Sequence, residues 1–291
     1  MVMAGKGDKI MQIREVINLI KSKHKGEWNG IKIQEETTRD KILYGDPDKE
    51  CTGIVTTIYA SVDVIRKAHE AGANLIIAHE ACFWNHGDHT DWLEDNETFK
   101  LKKALLDETG IVVWRDHDYI HSGVKVDGEW VDGIFYGLMQ ELEWEPYVIG
   151  NKANPMMFEI PKAPTREVAK YIMDKLNLKG MKCMGNLDGE TSRIFIPMHI
   201  IGGDDNRMLS IIEENHIDTI LTMEITDFTV AIYMRDGAQL GLAKAVLAAG
   251  HFNVEEPGMK WFASYLPNMI GNDIPVQFIQ AGDSYTMLVN E

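Results

Sequence analysis

Apolar and polar residues along this chain alternate between two patterns. Short continuous apolar runs read as buried strands, and between them lie longer segments whose apolar positions recur at helical spacing. Ile10, Ile13, Val16, Ile17 and Ile20 share one face of an amphipathic helix. Residues 28–34 predict a strand, and Tyr44-Gly45-Asp46-Pro47-Asp48 is a turn by composition. Residues 53–59 predict a strand, Ser61 caps a helix through Val64, Ile65 and Ala68, and Gly72 ends it. The run Asn74-Leu75-Ile76-Ile77-Ala78 completes a βαβ unit of right-handed sense and stops abruptly at His79-Glu80. A polar loop over 84–91, a helix over 96–108 closed by Gly110 and a strand over 111–114 repeat the arrangement. That strand delivers Asp116-His117-Asp118-Tyr119-Ile120-His121.

The same alternation continues in the second half. Residues 131–144 read as a helix leading into Pro146, and strands are predicted at 156–160, 181–184, 193–200 and 219–222. Pro164-Thr165-Arg166-Glu167 opens a helix with Val168, Tyr171, Ile172 and Leu176 on its apolar face, and 208–214 is helical. The alanines of 243–249 favour a helix, but the segment ends in Gly250-His251-Phe252-Asn253-Val254-Glu255 and is read as a third strand delivering an imidazole and a carboxylate. Pro257 and Gly258 open an amphipathic segment around Trp261, Phe262 and Leu266, and 276–279 is a late strand. The expectation is an α/β protein of two domains. Residues 1–130 form the first, rejoined by 245–291 and carrying most of the candidate ligands, and residues 131–244 form the second.

Composition narrows the chemistry. At 291 residues there is enough apolar sequence for two cores. Cys51, Cys82 and Cys183 are odd in number and without a CxxC pair, which argues for a reducing compartment and against a thiolate zinc site; their default role is that of small buried hydrophobes. A formal charge of −16 repels phosphate backbones, so direct nucleic-acid binding is not expected. The start of the chain lacks the apolar region of a secretory signal, and no run has the length of a membrane span. A cytoplasmic location, with the first ten residues as a disordered extension, is the expectation. Gly202-Gly203-Asp204-Asp205 lacks the spacing of a phosphate loop and reads as a tight turn.

Against this background the three strand ends stand out. A lone histidine at a strand end is more often solvated or hydrogen-bonded than a ligand. Three sites that each pair imidazole with carboxylate change that weighing, because these ligands suit zinc, manganese and iron(II). His79-Glu80 does not begin an H-E-x-x-H helix, since Phe83 stands where the second histidine is required. His117 and His121 are four apart, but they are expected to follow an extended strand rather than to lie in a helix.

The run GDPDKECTGIVTTIYASVDVIRKAHEAGANLIIAHE, with the later RDHDYIH and GHFNVEE, resembles the Nif-three-like family of dinuclear-metal-centre proteins from about residue 10 onward. The resemblance implies two similar α/β/α layered domains with two metal ions in the cleft between them, and assembly as a homohexamer. Some members carry an inserted domain in the middle, and this chain is too short for a large one. Transferred residue by residue, the family's paired histidines fall on His79 and Glu80, the histidine opening its H-T-N-L-D motif falls on His117, the closing aspartate on His121, and the final G-H-x-x-x-E on His251 and Glu255. The implied ligands are therefore His79, Glu80, His121, His251 and Glu255, with one histidine exchanged for glutamate and one aspartate for histidine, so that three imidazoles and two carboxylates remain. Glu224 matches the family's G-E position with Met223 in place of the glycine, and reads either as a solvated strand end or as a group near the metals.

Two functions follow from the resemblance. One is a metal-dependent hydrolase, with Glu80 or Glu255 bridging the ions, His117 or His86 moving protons, and a nucleotide substrate suggested by the family's GTP cyclohydrolase-like label. His86 and His89 lie in a loop able to close over the site. The other is a non-enzymatic metal-binding scaffold or regulatory partner, as the family's name, from an interaction with a transcription factor, suggests.

Overall fold

The computed structural model describes residues 11–271 and 273–288. Ile10 and the expected N-terminal extension lie outside the described residues. In chain order the main elements are α1 (Ile13–Lys23), β1 (Ile42–Tyr44), β2 (Ile54–Thr57), α2 (Val62–Glu70), β3 (Leu75–Ala78), α3 (Glu97–Thr109), β4 (Val112–Arg115), α4 (Asp118–Ser122) and α5 (Gly133–Glu141). They continue with β5 (Met157–Pro164), α6 (Thr165–Leu176), β6 (Lys182–Gly185), β7 (Glu190–Phe195), α7 (Asp205–Glu214), β8 (Thr219–Thr222), α8 (Val230–Gln239), β9 (Ala245–Ala248), α9 (His251–Ile270) and β10 (Val276–Phe278). The chain divides into two compact units, Met1–Ile134 with Gly258–Ala281, and Phe135–Pro257 with Gly282–Glu291.

The first unit is built on a five-stranded sheet of order β10-β2-β3-β4-β1, parallel except for β1 at one edge. Successive strand residues point to opposite faces. Ile54, Leu75, Ile77, Val112 and Trp114 pack on one side against α1 and the later part of α9, through Ile13, Val16, Ile20, Met259 and Phe262. On the other side Val55, Ile76, Ala78 and Val113 meet Val64, Ile65 and Ala68 of α2 and Leu106 of α3. Helices cover both faces, which is why these strands read as continuous apolar runs. Each buried valine, leucine, isoleucine, methionine or phenylalanine among them contributes about 1.5–3 kcal/mol by leaving water. The caps are local: Ser61 Oγ accepts from the Val64 amide at 3.1 Å, Asn96 Oδ1 from Phe99 at 2.9 Å, and Gly110 closes α3 in the left-handed conformation.

The second unit repeats this plan with a sheet of order β6-β9-β8-β7-β5, whose three inner strands are parallel and whose edges are antiparallel. Phe158, Ile194, Leu221 and Leu247 pack with α5 and α6 on one face, while Phe195, Ile220 and Val246 pack with Ile212 of α7 and Met234 of α8 on the other.

Several expectations need correction. Segment 245–257 belongs to the second unit, because Ala245–Ala248 pairs along its whole length with Thr219–Thr222 and Lys182–Gly185; only Gly258–Ala281 rejoins the first. Helix α9 begins at His251 rather than Pro257, since Gly250 at φ +104° makes the turn and the Val254 amide donates to its carbonyl at 3.1 Å. Gly258, inside that helix, is a point of close approach: a Cβ there would lie 2.5 Å from Ile134 Cα. The strand expected over 28–34 is a hairpin, Glu27–Trp28 with Ile31–Lys32, turned by Asn29 and Gly30 at positive φ. The strand expected over 193–200 breaks after Phe195, and His199–Ile200 instead pairs in parallel with Glu224–Ile225. Cys51 and Cys82 are buried, but Cys183 is exposed.

Candidate metal centre

His79 follows the last residue of β3 and is fully buried. His117 stands at the N-cap of α4, and His121 lies in its last turn. The two were expected outside a helix, but the His121 amide donates to the His117 carbonyl at 3.2 Å and closes one helical turn between them. The cause is Asp40, whose carboxylate accepts from the amides of His117 at 2.9 Å, Asp118 at 2.8 Å and Tyr119 at 3.2 Å. These amides have no intrahelical partner at a helix start, so a distant carboxylate nucleates the turn.

The three imidazoles gather tightly. His79 and His117 stack with centroids 4.6 Å apart, and His121 stands edge-on to them at 5.0 and 5.2 Å. One ring nitrogen from each lies within 4.8 Å of the others. In every case Nδ1 faces an oxygen: the Asp116 carbonyl for His79 at 3.0 Å, Asp118 Oδ1 for His117 at 2.9 Å, and Asp132 Oδ2 for His121 at 2.9 Å. This bonding assigns the Nδ1–H tautomer and leaves Nε2 as the nitrogen of each ring able to accept a metal ion, an arrangement shared by metal-binding histidines. Burial, with His117 and His121 beside it, holds the His79 pKa well below its ordinary value, so its imidazole stays neutral. Burial would raise the Asp118 carboxyl, but bonds from His117, the Arg39 amide and Thr38 outweigh it and keep Asp118 ionised.

Glu80 is fixed from behind by Arg115. This fully buried guanidinium donates to Glu80 Oε2 and Asp88 Oδ2 at 2.9 Å, and to the carbonyls of His79 and His86 at 3.0 Å. It ties the loop after β3 to the end of β4. The ring of His86 lies 5.9 Å from that of His117, and its pKa is lowered by partial burial and then by Arg115. His89 is exposed, with its amide held by Asn85 Oδ1 at 2.9 Å.

In the second unit, α9 places His251 and Glu255 one turn apart, with His251 Nε2 3.1 Å from Glu255 Oε2. His251 Nδ1 lies 2.5 Å from Glu224 Oε1, and Glu224 Oε2 lies 2.6 Å from His199 Nδ1. Burial would raise the Glu224 carboxyl, but the bonds from His251 and His199 prevail and hold it below the usual range. His199 and Asp132 carried no signal at the sequence level, and Arg115 opens the quoted RDHDYIH run without any local sign that it would hold Glu80 and Asp88. Asp116 and Asp118 flank His117 in the quoted motif, which was the visible hint of a supporting shell.

A family model described as Duf34/NIF3 (NGG1p interacting factor 3) matches residues 8–284. The chain belongs to the Duf34/NIF3 family. A GTP cyclohydrolase 1 type 2 homolog of Clostridium perfringens is 22% identical over 270 residues, covering 91% of this chain and 94% of the relative. Among solved structures, a Staphylococcus aureus hypothetical protein matches with 18% identity and a TM-score of 0.66, over 93% of this chain and 97% of that one. A Bacillus cereus protein related to NIF3 matches with 14% identity and the same TM-score, 0.66, over 96% and 100%. These likenesses establish the two-domain α/β fold for this Duf34/NIF3 chain. Among its described residues no helix is long and apolar enough to cross a membrane.

Proposed function

We propose that this Duf34/NIF3 protein is a metal-dependent hydrolase with a dinuclear centre, its two divalent ions held by His79, Glu80, His117, His121, His251 and Glu255. The observation that carries the reading is the common treatment of four histidines, each with Nδ1 held by an oxygen so that Nε2 is the nitrogen assigned to a metal. Imidazole and carboxylate donors suit zinc, manganese or iron(II). His117, expected from the resemblance to move protons, is better used as a ligand within the three-histidine group.

When bound, divalent ions supply Lewis acidity and activate water for attack on a carbon or phosphorus centre. The chain's own residues orient and hold protons. Arg115 aligns Glu80, Asp118 and Asp132 keep two imidazoles in one tautomer, and His86 is the group assigned to carry protons beside His117. The name of the Clostridium perfringens relative makes guanosine nucleotides the first substrates to screen. A cytoplasmic location belongs to the same reading and is supported by three free cysteines.

Elemental analysis of protein purified without tag or chelator tests the proposal. We expect about two divalent ions per chain, lower content in His79→Ala and in Glu255→Ala, and chelator-sensitive hydrolysis in a nucleotide and phosphoester screen. Absence of tightly held metal, with both variants like the parent, refutes the metal reading. Metal that stabilises the fold without supporting any turnover favours the scaffold instead.

A further inference from the structure

Glu224 and His199 lie outside the proposed ligand set, yet the fold holds them in place with unusual care. The parallel pairing of His199–Ile200 with Glu224–Ile225 sets the two residues directly opposite each other. Backbone latches reinforce this register: the Met223 amide donates to the Met198 carbonyl at 3.1 Å, Thr222 Oγ1 to the same carbonyl at 2.8 Å, and the Thr226 amide to the Ile200 carbonyl at 2.9 Å. Met223 itself is buried, so this segment cannot slide without exposing apolar surface.

From this platform the Glu224 carboxylate reaches two imidazoles at once. Oε1 accepts from His251 Nδ1 and Oε2 from His199 Nδ1, at 2.5 and 2.6 Å. The partner ring is half-exposed in His199 and less so in His251. Beside them a cavity of about 400 Å³, lined in part by Glu224, His251, Phe252 and Tyr285, leaves room for solvent to compete for the carboxylate.

We propose that Glu224 and His199 are a positioning pair for His251. Glu224 fixes the tautomer and ring angle of His251, so that Nε2 is the nitrogen presented beside Glu255, and its negative charge makes that nitrogen a stronger donor. His199 holds the second carboxylate oxygen, which stops Glu224 from turning toward solvent and lowers the entropy lost when the clamp forms. The inference rests on His251 being a metal ligand, as proposed above.

The test uses the full chain, stripped with chelator and titrated with Co²⁺, whose visible spectrum reports the ligand set, followed by competition with Zn²⁺. We expect Glu224→Gln to weaken affinity by about 10–100-fold and to shift the Co²⁺ spectrum, while the metal-free protein still unfolds in one cooperative transition. His199→Ala should cause a smaller loss in the same direction. Glu224→Asp, which keeps the charge, should recover part of the affinity lost in Glu224→Gln. If Glu224→Gln and His199→Ala bind like the parent while His251→Ala loses metal, the positioning role is overturned and the ligand assignment stands. If His251→Ala also binds like the parent, the ligand assignment itself fails, and the inference with it.

Discussion

Behind the first group of histidines lies a buried pair that no catalytic role requires. His24 Nδ1 donates to the Ile20 carbonyl at 2.8 Å, and its Nε2 is 3.5 Å from Asp116 Oδ2. Both side chains are fully buried, and burial moves their pKa values in opposite directions, His24 down to about 4 and Asp116 up to about 7. The low dielectric favours the neutral form of each. The two therefore pull stability in opposite senses with pH. The His24 contribution is fully present above its unfolded value of 6.5 and is lost as pH falls through about 4. The Asp116 contribution is fully present below 3.8 and is lost as pH rises through about 7. Asp116→Asn removes the second of these. Urea unfolding of chelator-treated protein should show the stability of this variant rising relative to the parent between pH 4 and 7, by on the order of 3 kcal/mol. A difference independent of pH would mean that Asp116 is already ionised in the folded protein. The candidate ligands were legible one residue at a time, because histidine and glutamate at strand ends are conspicuous. Of their supporting oxygens those of Asp116 and Asp118, beside His117 in the motif, and of Glu224 were hinted at; that of Asp132 was not, since carboxylates are common on any polar surface.

At the scale of the element, α4 is the most instructive. A helix of five residues is too short to form alone, and its start depends on Asp40, 77 residues before His117 in the chain. Asp40→Ala leaves three amides without that acceptor, and should cost about 1–2 kcal/mol. Hydrogen exchange should quicken over 117–122, and affinity for a divalent ion should fall with it; unchanged exchange there would show that the turn holds without Asp40. Periodicity could not announce this helix, which is shorter than two turns. The start of α9 was hidden for a related reason. Pro257 has the character of a first helical residue, whereas the true start depends on the turn at Gly250 and on Asn253, whose Nδ2 donates to the Ala249 carbonyl at 2.8 Å. Longer elements were legible for local reasons: α1 and α2 bury an apolar stripe, and α2 and α3 carry their own caps in Ser61, Asn96 and Gly110.

For the molecule as a whole, we add to the proposed function the homohexamer that the family resemblance implies. Light scattering at physiological ionic strength should report a hexamer, and the −16 charge of each chain predicts that assembly strengthens as salt rises. A stable monomer at all salt concentrations would remove hexamer assembly from the reading. The α/β class, the repeated βαβ pattern and the delivery of imidazole and carboxylate at strand ends were determined by the sequence alone. Continuous apolar runs encode strands buried on both faces, and parallel pairing carries their carboxyl ends to one edge of a sheet. Only the tertiary structure decided that β9 belongs to the second unit, that Arg115 ties Glu80 to Asp88, that Asp132 holds His121, and that Glu224 stands between His199 and His251. These are pairings between residues far apart in the chain. They depend on sheet order and turn geometry, which local hydrophobic periodicity does not record.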